Sequence, residues 1–200
     1  VVQTIPVDKK RDSAAKRELL RVVKIILKAY VELFRGTPMI VQAVFIYYGL
    51  SQMFQIQLGM WSAAFLVVSI NTGAYMAESV RGGIISIDPG QTEGAKAIGM
   101  THVQTMVNVI MPQAIRNIIP QIGNNYIINV KDTSVMFIIS FTEFFAAHRY
   151  IVGINNMYFP SAAIEMIGYL ILTLVASILL RLLERIMDGS DSYELAQGDQ

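Results

Sequence analysis

Apolar positions fall into two kinds of pattern along this chain. In residues 14–35, Arg17, Arg21, Lys24 and Lys28 recur at helical spacing on one face, while Leu20, Val23, Leu27 and Tyr30 fall elsewhere. That pattern predicts a basic amphipathic helix suited to lying along an anionic leaflet. After Arg35 the period vanishes: residues 39–56 hold no formal charge, and residues 38–57 match the roughly 20 residues that a membrane span needs. Pro38 suits a first helical turn, where its missing donor costs little. Further apolar runs predict spans over residues 61–80, 115–141 and 162–183. The link before Trp61 is short, which favours two antiparallel helices with Trp61 at an interface. The run over 115–141 is interrupted by Pro120, several Asn, Lys131 and Asp132, the pattern of a helix with polar content facing a protein interior.

Between the second and third spans lies a different element, residues 86–112. Asp88 and Pro89 supply a cap and a first-turn proline, so the stretch DPGQTEGAKAIGM is expected to be helical despite two interior glycines. Each such glycine costs about 1 kcal/mol relative to alanine. Ala95 and Gly99, four residues apart with Ile98 beside them, then form a shallow small-residue face. Spacing alone leaves two readings: a helix packed on its own membrane domain, or a surface another protein approaches closely.

Composition narrows the class. With 54% hydrophobic residues among 200 and a mean hydropathy of +0.47, the chain carries more apolar mass than a water-soluble core of this size needs. The net charge of +1 provides no basic field for nucleic acid. The absence of cysteine removes disulfide, thiol and zinc-thiolate chemistry, and His102 and His148 are too isolated to suggest a metal site. The distribution of charge is more telling than its sum. Nine of the sixteen Lys and Arg precede Pro38, and Arg81, Lys96, Arg116, Arg181 and Arg185 fall on the same side if the spans alternate. That side, with the 86–112 loop and the C-terminus, is expected to be cytoplasmic. The opening residues lack a signal peptide and begin at Val1, so a further N-terminal span is expected upstream.

Several ordered motifs carry a resemblance across most of the chain. The stretches AYVELFRGTPMIVQ, NTGAYMAESVRGGIISIDPGQTEGAKAIGM, MPQAIRNIIPQIGN and KDTS resemble the permease subunits of polar amino acid ABC importers, of the histidine, glutamine and arginine type. Glu93, Ala95, Gly99 and Pro112 match the EAA loop of that family, and the sequence departs from its pattern at Gly94, Val109 and Met111. The resemblance implies an all-α, polytopic transmembrane domain of the type I, MetI-like class in the bacterial inner membrane. It also implies that 86–112 is a coupling loop, with Asp88, Glu93, Ala95, Gly99 and Pro112 contributing to contact with a separate ATPase. The partners implied are ATP-binding cassette subunits, a second permease chain, identical or related, and an extracytoplasmic amino acid-binding protein. No phosphate-binding loop occurs in the chain, so ATP and Mg are expected on the ATPase and no cofactor here.

Candidate substrate contacts come from two polar stripes. Asn71, Tyr75 and Glu78 share one helix face, and Gln121, Asn125, Asn129 and Asp132 share another; both are expected to line a common interior. An ionisable group at membrane depth costs at least ~2.5 kcal/mol, so Asp132 and Glu78 call for a partner, water or ligand. Structural roles compete for each: Lys131 beside Asp132, Arg81 beside Glu78, and asparagines bonding across helices. Tyr47 and Tyr48 read as interface anchors, the scattered Met as packing, and Glu143, His148 and Arg149 as a solvated charge cluster. Three rival readings stand beside the importer: a permease for another small solute such as an osmolyte, an intramembrane enzyme using Glu78 and Asp132, and a purely structural subunit.

Overall fold

The computed structural model describes residues 13–188, with side chains through Ile186. The reading of the first residues as lacking a signal peptide lies outside the described residues. Among the described residues every regular element is helical.

Helix α1 (Ala14–Gly36) begins at Ser13, whose hydroxyl accepts from the Lys16 amide at 3.3 Å. It ends where the Thr37 hydroxyl donates to the Leu33 carbonyl at 2.8 Å and Pro38 turns the chain. Pro38 is extended and precedes the next helix as its cap, rather than sitting in its first turn. Helix α2 (Met39–Phe54) contains a π turn over Phe45–Gly49 and stops where Gln55 adopts a left-handed conformation. The expected span over 38–57 is thus a shorter helix followed by irregular chain. At 1.5 Å per residue it reaches only about 24 Å, short of a typical ~30 Å hydrocarbon core.

Helix α3 (Met60–Ile85) covers the expected second span and runs past it; a short helix, α4 (Pro89–Ala97), follows. Helix α5 (His102–Ile139) starts thirteen residues before the expected third span, so the last part of the 86–112 loop belongs to the same rod as the membrane segment. Left-handed Ser140 ends it, and α6 (Phe144–Asn155) leaves at 51°. Helix α7 (Tyr158–Asp188) closes the described chain. Among the described residues two helices, Met60–Ile85 and Tyr158–Ile186, are long and apolar enough to cross a membrane, or three if the bent α5 and α6 form one span.

Two apolar clusters hold α3 in the centre. Met39, Ala43, Ala63, Ala64, Val67, Met136 and Ile139 join α2, α3 and the end of α5, while Ile84, Ile110, Ala114 and Ile118 join the far end of α3 to the first half of α5. Met39 and Met136 therefore act as packing. Close approach depends on Gly83, where a Cβ would collide with the Ile118 side chain, and on Gly123, where it would collide with Leu180 of α7. The π turn over Met106–Ile110 lies just before Pro112. A widened turn there absorbs the proline ring and its missing donor, and the Gln113 side-chain amide donates to the Val109 carbonyl at 2.8 Å.

One buried polar knot fixes the corner between α1 and α2. Gln42 and Asn71 are 6% and 5% exposed. The Gln42 amide donates to the Phe34 carbonyl at 2.9 Å and to Thr37 at 2.9–3.0 Å, and the Asn71 amide donates to Gln42 Oε1 at 3.1 Å and to Phe34 at 3.2 Å. Asn71→Leu strands the Gln42 acceptor in an apolar site. Its expected effect is a loss of about 1–2 kcal/mol, read as a lower melting midpoint of the purified protein.

Candidate functional site

The segment from Ser86 to Pro112 is braced at both ends. The Asn117 amide donates to Ser86 Oγ at 3.0 Å, and Gln113 reaches Gln91 at 3.3 Å, so α4 is tied to α5 as well as continuing from α3. Asp88 caps α4: its carboxylate accepts from the Gly90 amide at 2.6 Å, with Pro89 in the first turn. After Ala97 the chain leaves the helix through Gly99, whose φ is +84°. The Gly99 amide donates to the Lys96 carbonyl and the Met100 amide to the Ala95 carbonyl, both at 3.0 Å, the paired bonds of a Schellman ending. Thr101 and Gln104 then form a reciprocal capping box that starts α5.

This geometry corrects the expected small-residue face. Ala95 is 6% exposed and turned toward its own chain, where α4 lies against the π turn of α5. Gly99 is outside the helix and shares no helical face with it. The open side instead carries Glu93, Gly94, Lys96 and Ala97, with Ile98 beside them at 77% exposure. At 100° per residue, Glu93 and Ala97 point away from Ala95. Pro112 is exposed but lies within α5, as described above. Gly94, the departure from the family pattern, has open space around a built Cβ, whereas any side chain at Gly99 is strained by its left-handed backbone. Gly94→Ala is expected to stabilise the protein by roughly 0.5–1 kcal/mol and Gly99→Ala to destabilise it by a similar amount, a difference in sign visible in paired melting curves.

The α5 stripe meets α3 at Thr72 and Ser79, not at Asn71, Tyr75 or Glu78. Asn129 donates to Thr72 at 2.8 Å and Asn125 to Ser79 at 3.3 Å, so α3 and α5 run antiparallel and are bonded across their contact. Asn71 sits in the buried knot at the α1–α2 corner, bonded to Gln42 and Phe34. Glu78 is clamped by Arg81, with Arg81 Nε donating at 2.8 Å, and Arg35 lies 3.8 Å away. Arg35 also stacks over Tyr75, its guanidinium 5.4 Å from the ring centre. Tyr75 is thus partly exposed beside a charge network rather than facing Asn125 and Asn129. Gln121 and Asp132 are exposed. Thr72 is near the middle of α3, and Asp132 stands three residues beyond Asn129, about 4.5 Å along the axis from that level.

The same ladder bears on the intramembrane enzyme. Glu78 lies six residues from Thr72 in the opposite direction, so the two carboxylates are about 13 Å apart along the bundle, too far to share a proton or a reacting atom. The Glu143, His148 and Arg149 cluster is also corrected. Glu143 caps α6 through the Phe145 and Ala146 amides at 2.7 Å and accepts from the Tyr169 hydroxyl at 3.1 Å. His148 faces Glu165 of α7 at 3.7 Å in a largely buried contact, and Arg149 stacks on Phe137. Sequence reasoning missed Gln42, Thr37, Thr72 and Ser79; Glu165, a lone carboxylate inside an apolar run, was the available signal for the α6–α7 contact. Tyr48 bonds the Ile138 carbonyl at 3.2 Å and pairs edge-on with Tyr47, linking α2 to the end of α5.

Known proteins share this architecture. Residues 13–189 match the family described as binding-protein-dependent transport system inner membrane component. The glutamine transport system permease protein GlnP of Escherichia coli (strain K12) is 38% identical over 159 residues, 79% of this chain and 73% of that protein. The L-cystine transport system permease protein TcyB of Bacillus subtilis (strain 168) is 36% identical over 177 residues, 86% of this chain and 75% of its own. A crystal structure of an amino acid ABC transporter with histidines is similar with a TM-score of 0.78 and 39% identity, over 82% of this chain and 77% of that one. A helical chain built around α3 and α5, with a braced loop helix between them and this similarity over most of its length, belongs to the binding-protein-dependent transport system inner membrane components, as a transport permease subunit rather than an enzyme.

Proposed function

We propose that this chain forms part of the path by which a polar amino acid, such as glutamine, glutamate, arginine or histidine, enters a bacterial cell, and that ATPase subunits docked on α4 drive the passage. The observation that carries the reading is the mechanical position of α4. It leaves α3 after three residues, is fastened to α5 through Gln91 and Gln113, and presents Glu93, Gly94, Lys96 and Ala97 outward. Force applied to that face reaches the two helices whose polar contact surrounds Thr72 and Asn129. The docking set is therefore Glu93 with Gly94, Lys96 and Ala97; Asp88, Ala95, Gly99 and Pro112 shape the element that carries it.

ATP and Mg belong on the partner ATPase, which closes on nucleotide and rocks the spans between inward-open and outward-open states. Asp132 is the substrate contact this geometry favours, since an exposed carboxylate near the middle of α3 suits a ligand ammonium group. Asn125 and Asn129 line the approach, and Tyr75 and Glu78 sit toward the loop end. The loop and the C-terminus face the cytoplasm: Arg81, Lys96 and Arg116 share the loop end, and contact of Gly123 with Leu180 brings Arg181 and Arg185 toward it. A second permease chain completes the path, and an external binding protein delivers the solute.

Proteoliposomes holding the full assembly, tested for radiolabelled glutamine uptake with unlabelled competitors of acidic, basic and amide type, measure the substrate class. Competition by polar amino acids but not by quaternary-ammonium osmolytes supports the reading. Uptake of an osmolyte unaffected by any amino acid contradicts it.

A further inference from the structure

A cleft of about 150 Å³ opens between α6 and α7, at the end of the bundle away from the loop helix. Phe144, Ile151, Met157 and Pro160 make apolar walls, and His148 and Glu165 bring polar atoms to it. The two groups stand 3.7 Å apart, too far for a hydrogen bond. His148 Nδ1 is buried and has no hydrogen-bond partner, and Glu165 accepts no hydrogen bond among the described residues although it is only 9% exposed. Ser161, also on the wall, directs its hydroxyl to the Met157 carbonyl at 2.5 Å.

The cleft therefore calls for a cationic donor. A buried carboxylate without hydrogen bonds is costly, and one imidazole supplies at most one of the several bonds its two oxygens accept. A second carboxylate, Glu143, reaches the same helix through Tyr169, one turn on from Glu165. Its oxygens already accept from the Phe145 and Ala146 amides and the Tyr169 hydroxyl, so it adds negative charge to the surroundings more than acceptor capacity. Arg149, next along α6 from His148, is turned onto Phe137 of α5.

What continues from the cleft identifies its occupant. Ile164, Ile167, Ile171, Leu174 and Ile178 recur every three or four residues along α7 and are 49–68% exposed, an uncovered apolar track of about 21 Å that starts at the cleft. Tyr150 and Tyr158, at the same end of α6 and α7, are 66–72% exposed, as tyrosines at headgroup depth are. A soluble amine would satisfy the acid and leave the track bare. We propose that the cleft holds the ammonium group of a primary-amine phospholipid, hydrogen-bonded to Glu165 beside His148, with an acyl chain lying along α7. The proposal rests on the membrane placement given under the proposed function. It makes the joint between α6 and α7 a point at which bilayer composition acts on the permease, at the end opposite the loop helix.

The test uses the complete assembly in nanodiscs of equal phosphatidylethanolamine and phosphatidylcholine, with lipids retained after detergent extraction identified by native mass spectrometry. Both lipids are zwitterionic, but the methylated ammonium of phosphatidylcholine donates no hydrogen bond. The unaltered chain is compared with Glu165→Gln, which removes the charge, and with Ala147→Leu, which adds bulk at an exposed position lining the cleft and leaves the acid in place. The unaltered form is expected to retain phosphatidylethanolamine preferentially, and each variant to lose that preference on the order of tenfold. Should Glu165→Gln fail to fold, Ala147→Leu decides the question alone. Equal retention of both lipids by the unaltered form overturns the proposal, the result expected if a second permease chain covers the α7 track. So does a preference unchanged in either folded variant, or displacement of the retained lipid by free ethanolamine, which makes the cleft a soluble-amine site. Uptake of labelled glutamine is measured in parallel. Failure of uptake in every lipid contradicts the transport reading, whereas normal uptake with lipid retention unchanged in the variants contradicts only the lipid site.

Discussion

Ala97→Arg is expected to weaken association of the ATPase proposed to dock on α4 while leaving the chain folded. Ala97 is exposed on α4 opposite the buried Ala95, so a long cationic side chain there meets open space in the isolated subunit. If the proposed docking on α4 holds, the same side chain stands in the contact, where it costs steric room and the desolvation of a charge without a partner. Affinity of the purified subunit for its ATPase is expected to fall on the order of 100-fold, with an unchanged elution profile and melting midpoint. Gly99→Arg is a poorer probe, because the left-handed backbone at that position strains any side chain and confuses a folding defect with a docking defect. Undiminished binding by Ala97→Arg removes α4 as the docking helix.

Asp132→Asn is expected to lower uptake roughly 10- to 100-fold with little change in assembly, the loss of one charge-assisted contact to a substrate ammonium group. Asp132 is exposed in the last third of α5 and takes no part in the Asn125–Ser79 or Asn129–Thr72 bonds that hold the helices together. Removing its charge therefore leaves the packing in place. Glu78→Gln is expected to behave differently, since Glu78 is clamped by Arg81 and lies near Arg35, and its loss frees two guanidinium groups beside Tyr75. That change loosens α1 from α3 and appears as a lower melting midpoint. If Asp132→Asn transports normally and Glu78→Gln alone stops uptake, the substrate contact belongs at the loop end of the bundle.

The sequence made the long helices legible where an uninterrupted apolar run met a clear boundary. Residues 61–80 and 162–183 sit inside α3 and α7, each extended by several residues because a helix continues until something stops it. The start of α4 was equally readable, since Asp88 and Pro89 act through bonds to the next few residues. Its end was misread. A glycine following Lys96-Ala97-Ile98 is itself a helix stop signal, but counting Ala95 and Gly99 as one face presumed that the helix went on. The π turn before Pro112 has no pattern at the level of single residues; it follows from the proline's clash with the preceding turn.

What the sequence hid depended on contacts between distant segments. Gln42 and Asn71 are 29 positions apart, and only the folded corner between α1 and α2 turns a polar stripe on α3 into a structural knot. His148 read as part of a solvated cluster, and its contact with Glu165 exists only because the chain brings α6 against α7. The carboxylates Glu78 and Asp132 looked like candidates for a pair because their separation along the bundle is set by the register of α3 on α5, fixed by Asn129 and Thr72. The family pattern, by contrast, was spread over several ordered motifs and was legible before any contact was known.

The most direct measurement is accumulation of a labelled polar amino acid against its gradient in proteoliposomes containing the permease assembly, with ATP on the side of α4. Accumulation that requires the ATPase subunit and disappears with Ala97→Arg is the expected result. Uphill movement of the solute with the ATPase subunit omitted contradicts the account.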